Sequence, residues 1–417
     1  MILSVGLKNK GTSILSLRLY NPTMTTENLL TFDDTSVAFE AKSDRELKKT
    51  HFIFASMNNP LLVRVGTALT SLALKLKLPV KGLIRSTMFD QFCGGEAIDK
   101  CEKTIDHLGR YHVRTILDFS AEGQEDEASF DFTRDEALRV ADFAKENPNI
   151  AFCVVKLTGL GSRELMARVQ EGKTLKPGEA ARFEAFKARV EAIAKRAYDN
   201  GLRFMIDAEE SWIQDVIDGI AYDLMRKFNR ERPVVYITYQ FYRHDALEKM
   251  KQGYADLTAE GCFFAAKLVR GAYMEKERER AEEKGYRDPI QADKAATDRD
   301  YNLAQEFILD HIDRFSVCSG THNEMSCALL AGLMEAKGLK RNDERVYFSQ
   351  LLGMSDNISF NLAKEGYNVS KYVPYGPVEK VLPYLFRRAE ENSAIKGQSG
   401  REFILIKKEI ERRKANK

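Results

Sequence analysis

The sequence predicts an α/β chain: a (β/α)8 barrel of the TIM type, with a helical arm ahead of it. Three observations point there. Eight short β-branched or aromatic runs recur between Val113 and Tyr375, and each is followed by a charged amphipathic stretch. The runs are nearly continuously apolar, as strands covered on both faces must be. A doubly wound sheet is the structural rival. Its dinucleotide form needs a GxGxxG turn after the first strand, where this chain reads DFSAEGQEDE.

Residues 1–32 form an extension that carries Lys8, Lys10 and Arg18 and no acid before Glu27. That composition fits a transit peptide, and equally a disordered leader ahead of a start at Met24. Residues 33–110 read as a helical arm with breaks at Asn58-Asn59-Pro60 and Gly94-Gly95. Within it, Pro60 to Pro79 is apolar but interrupted by Arg64, Lys75 and Lys77, which predicts an amphipathic helix on the protein or on a membrane surface. Residues 111–396 hold the barrel. Its strands are expected at VRTILDF (from Val113), IAFCVVKL (from Ile150), RFMIDA (from Arg203), PVVYITY (from Pro233), CFFAAKLV (from Cys262), FSVCSG (from Phe315), RVYFSQL (from Arg345) and SKYVPY (from Ser370). Long helices are expected from Pro177 to Asn200 and from Met274 to Asp288. Residues 397–417 form a basic amphipathic helix with Phe403, Ile406 and Ile410 at helical spacing, and from Lys396 onward eight Lys/Arg stand against three Glu. Such a helix rests on the protein surface or touches a membrane.

Composition narrows the chemistry. A net charge of +2 gives no case for nucleic acid as a partner. The six cysteines fall singly, several within apolar runs such as AFCVV, so buried reduced thiols are expected rather than disulfides or a metal site.

In a parallel barrel the site lies at the C-terminal ends of the strands. Those ends carry Lys156 after strand two, Asp207 with Glu209 and Glu210 after strand three, and Tyr239 and Gln240 at strand four. Strand five carries Lys267 and Arg270 into Gly271-Ala272-Tyr273, and strand six leads to Thr321, His322 and Asn323. Strand seven ends on Gln350 and Leu351, and strand eight carries Tyr372 and Tyr375. Beyond it, YLFRRAEEN places Tyr384, Arg387, Arg388 and Glu391 on one face if helical. Two guanidinium forks beside a carboxylate suit a small carboxylate ligand, and the mouth should be electropositive. Each residue also has a plainer reading. Lys156 could be an ordinary strand-end lysine in a salt bridge, Asp207 a helix cap, His322 a satisfied turn residue, and the arginines a solvated face.

Taken in order, KLTGLG, FMIDAEES, YQFY, KLVRGAY, THNE, QLLGMSD and YVPYGPVEKVLPYLFRRAEEN resemble the motif set of the proline dehydrogenases, closest to the single-function mitochondrial type. The likeness runs from about residue 110 to 395. It implies an FAD-dependent barrel enzyme that oxidises L-proline to pyrroline-5-carboxylate and passes electrons to a membrane quinone. It assigns Arg387 and Arg388 to the proline carboxylate with help from Lys156, and Glu391 to holding the arginines. Leu351, Tyr372 and Tyr384 would wall the ring, with Asp207 and Tyr273 at the reacting end. Ala208, Gln240, Lys267, Arg270, Gly271, Ala272, Thr321, His322 and Asn323 would contact FAD. Many bacterial members carry arginine where this chain has Lys267, which keeps the charge but loses the fork. No metal is implied. The resemblance also implies peripheral membrane contact, on the cytoplasmic face of the inner membrane in a bacterium and in mitochondria in a eukaryote. The alternatives are a hydroxyproline-preferring flavoenzyme, a flavin-free barrel aldolase using Lys156 or Lys267, and a non-catalytic membrane-surface protein.

Overall fold

The computed structural model describes residues 30–76, 79–120, 126–394 and 398–416, with the side chains of Leu74, 391–394, 398 and 399 left out. The 1–32 extension therefore lies almost wholly outside the described residues. So does the Glu391 side chain.

The arm contains α1 (Asp44–Met57), α2 (Pro60–Lys75) and α3 (Ile98–Gly109), joined by short helical turns. Helix α1 starts at a capping box: the Ser43 hydroxyl accepts from the Glu46 amide, and the Glu46 carboxylate accepts from the Ser43 amide at 2.8 Å. The barrel follows as β1 (Val113–Phe119), α4 (Glu127–Lys145), β2 (Ile150–Val155), α5 (Arg163–Gln170), α6 (Pro177–Asp199), β3 (Phe204–Ile206) and α7 (Ser211–Phe228). It continues with β4 (Val235–Gln240), α8 (Ala246–Ala259), β5 (Phe264–Val269), α9 (Met274–Lys284), α10 (Lys294–Asp310), β6 (Phe315–Gly320) and α11 (Glu324–Ala336). Last come β7 (Val346–Leu351), α12 (Asp356–Lys364), β8 (Val369–Tyr375), α13 (Val378–Ala394) and α14 (Gln398–Ala415).

The eight strands close in chain order into one barrel, and β1 runs parallel to β8 from Val113↔Val369 to Phe119↔Tyr375. The expected architecture is present, with adjusted boundaries. β3 has only three residues, so Arg203, Asp207 and Ala208 flank it. Lys156 and Leu157 leave β2 for a 3-10 turn, Leu157–Gly159. The charged helix stops at Lys284 instead of reaching Asp288 because Gly285 takes φ 70°, a left-handed cap that glycine adopts without penalty.

By packing, the chain divides into two compact units. The first holds Gln124–Ser349 and Gly366–Asn368; the second holds Phe32–Gly123, Gln350–Glu365 and Val369–Lys417. In the first, Phe152 of β2 meets Tyr236 of β4 and Tyr347 of β7 edge-on at 5.2 and 5.0 Å, and Arg203 lies 5.1 Å from the Tyr347 ring.

In the second unit, α14 is docked. Leu405 and Ile406 are buried, Phe403 packs on His51 at 4.6 Å, and Arg413 donates to the carbonyls of Phe39 and Lys42 at 2.8 Å. The apolar face that suggested membrane contact is thus spent on the protein. Helix α2 differs: Leu61, Leu62, Val65, Leu69, Leu72 and nearby Leu76 are 46–70% exposed. Among the described residues, no helix is long and apolar enough to cross a membrane. All six cysteines are buried, and none of them is in a disulfide.

Candidate active site

Strand alternation selects which strand-end residues lie on the inner face. In β4 the Tyr239 hydroxyl meets Tyr222 of α7 at 2.7 Å, so Tyr239 points outward and Gln240 inward. In β8, Tyr375 shares the outward parity of Lys371 and packs on Phe119 at 5.5 Å, whereas Tyr372 has the opposite parity. Tyr239 and Tyr375 are therefore packing residues, because a side-chain period of two turns every second residue of a strand toward the helices.

The first unit gathers Lys156, Asp207 and Lys267. The buried Lys267 ammonium donates to Oδ1 of Asp207, and Lys156 stands 3.9 Å from Oδ2. Asp207 does not cap α7, since the N-cap is Glu210. It supplies one carboxylate to two cations, and a buried cation needs such a partner. Gln240 spans two loops: its Nε2 donates to the Glu209 carbonyl at 2.7 Å, and its Oε1 accepts from the Ala272 amide at 3.2 Å. Ala208 lies half-buried between Asp207 and Glu209.

Beyond β5, Arg270 donates from Nε to Asp298 at 2.7 Å, from Nη1 to Thr321 and from Nη2 to Ser326 at 2.9 Å, with its carbon 4.4 Å from the Tyr301 ring centre. These bonds use three of the five guanidinium N–H groups, so the cation is held rigidly with donors to spare. Gly271 has φ 136°, and a Cβ there would come within 2.5 Å of the Tyr242 ring. Asn323 caps α11 through its side chain, which accepts from the Ser326 amide at 3.1 Å. Thr321 and the half-buried His322 lead into that helix start, a place suited to an anion. Tyr273 opens α9, with the Lys276 ammonium 5.8 Å over its ring.

The second unit carries the remaining candidates. The YLFRR segment is helical, within α13, and places the Arg388 guanidinium 5.6 Å from the ring of Tyr384 one turn earlier. Tyr384 is buried, Arg387 and Arg388 are half-buried, and Leu351 packs against the same hydrophobic cluster as Tyr384. Tyr372 is buried, and its carbonyl accepts from Leu352 at 2.9 Å.

Some contributors had no role assigned from sequence. Glu209 is buried and accepts from the Thr158 amide at 3.0 Å and from its hydroxyl, tying the loop after β2 to the loop after β3. Glu277 accepts from the Ser211 amide and hydroxyl, both at 2.6 Å, joining α9 to α7. The acids in DAEES were visible, but their partners were not.

Burial raises the Glu209 carboxyl from its ordinary 4.5 to about 7, outweighing the Thr158 hydrogen bonds. The folded state then holds this proton more tightly than the unfolded chain, so stability should fall as pH rises from about 4.5 to about 7 and level off above. Burial also raises Asp218 and Glu402 to about 7, so the parent keeps some slope without Glu209. Glu209→Gln should flatten the dependence by an amount on the order of 3 kcal/mol, measured as the difference between parent and variant urea midpoints across pH 4 to 8. Parallel curves would refute it.

A family model described as proline dehydrogenase matches residues 101–401. This chain belongs to the proline dehydrogenase family. Among proline dehydrogenase relatives, the human mitochondrial proline dehydrogenase 1 is 44% identical over 54% of this chain and 38% of its own length. The hydroxyproline dehydrogenase of Xenopus laevis is 30% identical over 94% and 91% of the two chains. The carbapenem antibiotics biosynthesis protein CarD of Pectobacterium carotovorum is 34% identical over 80% and 86%. A proline utilization A (PutA) structure from Bdellovibrio bacteriovorus, inactivated by N-propargylglycine, superposes on 93% of this chain and 41% of its own, with a TM-score of 0.68 and 20% identity. That likeness supports the barrel fold. This proline dehydrogenase-family chain thus spans less than half the length of the PutA chain it matches.

Proposed function

We propose that the protein is an FAD-dependent proline dehydrogenase that oxidises L-proline to pyrroline-5-carboxylate, the first step of proline breakdown to glutamate, with electrons passed to a membrane quinone. The observation that carries this reading is the arginine pair on a half-buried helix face, one guanidinium against Tyr384, in a chain of this family. A carboxylate is the ligand such forks recognise.

The donor set fits FAD. Lys267 and the braced Arg270 supply positive charge, and Thr321, His322 and Asn323 stand at a helix start, while Gly271 lets the Tyr242 ring pack directly on the backbone beside them. Gln240, Ala208 and Ala272 would complete the contact. When bound, FAD supplies the hydride acceptor. The rest falls to the chain. Arg387 and Arg388 grip the carboxylate with Lys156, and Leu351, Tyr372 and Tyr384 bury the ring methylenes. Asp207 and Tyr273 order the reacting end. Loss of hydride from C5 and of a proton from nitrogen leaves the C=N bond. The cationic clamp favours the neutral amine, whose lone pair assists that loss, so no dedicated base is required.

The match to a hydroxyproline dehydrogenase over 94% of this chain and 91% of that one supports a second reading, in which the ring carries a hydroxyl. Proline-dependent bleaching of bound flavin, with 4-hydroxyproline as competitor and a quinone as reoxidant, decides between them. Purified protein without flavin, and not restored by added FAD, would end both.

Membrane contact would run through α2. Its exposed leucines fall within one arc of the helix, and residues 60–89 hold five cations and no acid. Such a face fits an anionic lipid surface. The bacterial protein would then sit on the cytoplasmic face of the inner membrane, the eukaryotic one in mitochondria. In vesicle sedimentation, Leu69→Glu with Leu72→Glu should weaken binding to phosphatidylserine-containing vesicles by at least roughly 100-fold, since each leucine contributes about 1.5–3 kcal/mol on burial. If the parent protein stays in the supernatant, α2 is no lipid anchor.

A further inference from the structure

One buried cation has no part in the chemistry above. Lys371 lies on β8 beside Tyr372, fully buried on the outward parity of the strand. Its ammonium donates to the carbonyl of Met354 and, at 3.4 Å, to that of Leu351, and it pairs with Asp356 at 2.9 Å. Asp356 also meets Lys42 at 3.3 Å. An apolar residue would fill a strand–helix contact at lower desolvation cost. What lysine adds is direction: its donors reach two carbonyl oxygens of one short turn and the Asp356 carboxylate at the start of the helix that follows it.

That turn, residues 351–355 between β7 and α12, is held from other sides as well. The Leu352 amide donates to Tyr372, Gln91 donates to the Gly353 carbonyl at 2.9 Å, and the Ser355 amide donates to Glu402 of α14. Gly353 and Ser355 have φ of 75° and 49°, and a non-glycine residue keeps such a conformation only where its surroundings over-determine it. So many restraints on five residues imply that their position matters. Leu351 begins the turn, and Tyr372 adjoins the lysine that grips it.

We propose that Lys371 is a positioning residue: it fixes the backbone of Leu351 beside Tyr372, and so sets which ring substituents a cyclic amino-acid substrate can carry. This rests on the assignment of Leu351 and Tyr372 to the substrate ring. Rigid walls discriminate; walls free to shift admit the larger ring. Glu402 extends the same control to α14, since it anchors the far end of the turn.

Lys371→Met keeps the bulk and removes the donors. In the flavin-loaded full chain, it should raise the KM for proline about tenfold with kcat changed less than about threefold, and lower the preference for proline over 4-hydroxyproline about tenfold. Amide exchange at Leu352 and Met354 should quicken about tenfold or more, with Gln240 and Leu268 unchanged. Lys371→Gln, which retains N–H donors, should recover part of each effect. Parental kinetics together with parental exchange in Lys371→Met overturn the proposal. If the parent does not turn over proline, the functional reading fails, and exchange alone still decides whether Lys371 holds the turn. Should Lys371→Met be insoluble, Glu402→Ala carries the same exchange and preference measurements, with the same outcomes.

Discussion

Arg388→Ala is expected to raise the KM for L-proline roughly 10²- to 10³-fold while bound flavin and the fold persist. The magnitude follows from the interaction removed. A charge-assisted hydrogen bond contributes about 1.5–3 kcal/mol, and a fork that makes two can approach the upper end of that range or exceed it. At 1.4 kcal/mol per decade this gives two to three decades. The side chain is half-buried on α13, with its guanidinium 5.6 Å from the Tyr384 ring. Arg388→Lys keeps the charge without the fork and should fall between alanine and the parent. Arg387→Ala should behave alike. Steady-state kinetics together with the flavin spectrum check this, and a variant with parental KM would remove the clamp from the mechanism.

Asp207→Ala should have the second large effect, on stability first. The carboxylate serves Lys267, which is buried, and Lys156, which is partly exposed. Taking away one partner of a buried pair leaves the other charge uncompensated, at a cost of about 3–5 kcal/mol. Lowered urea midpoints and loss of flavin on gel filtration are the expected readouts. The double variant Asp207→Ala with Lys267→Met tests the cause. It removes the stranded charge, so most of the stability should return while flavin affinity does not, because the cation is gone. Equal stability of Asp207→Ala and the parent would show that Lys267 finds another partner.

Much of this protein was legible along the chain. The eight strands stood out because β-branched and aromatic runs recur at barrel spacing, and β3 was overdrawn only because three residues suffice to pair it with its neighbours. The residues later found in the Lys156, Asp207 and Lys267 cluster were named from their places at strand ends. Illegible were the partners. Glu209 finds Thr158 across 51 positions, Asp207 finds Lys267 across 60, and the Ser355 amide finds Glu402 across 47. Lys371 looked like part of a strand and nothing more. Helix α2 and helix α14 read alike as amphipathic and basic, yet α14 buries its apolar face and α2 leaves much of its own exposed.

By itself the sequence determined the barrel, the helical arm, the order of the polar strand ends and the arginine pair. These depend on local periodicity and on residue type, which neighbours in the chain specify. Only the tertiary structure decided which of the two tyrosines of β8 faces inward, which acids hold which bases, and which amphipathic helix keeps a free face. Those choices belong to contacts between residues far apart in sequence, where burial makes an unpaired charge costly and leaves few arrangements that satisfy every group.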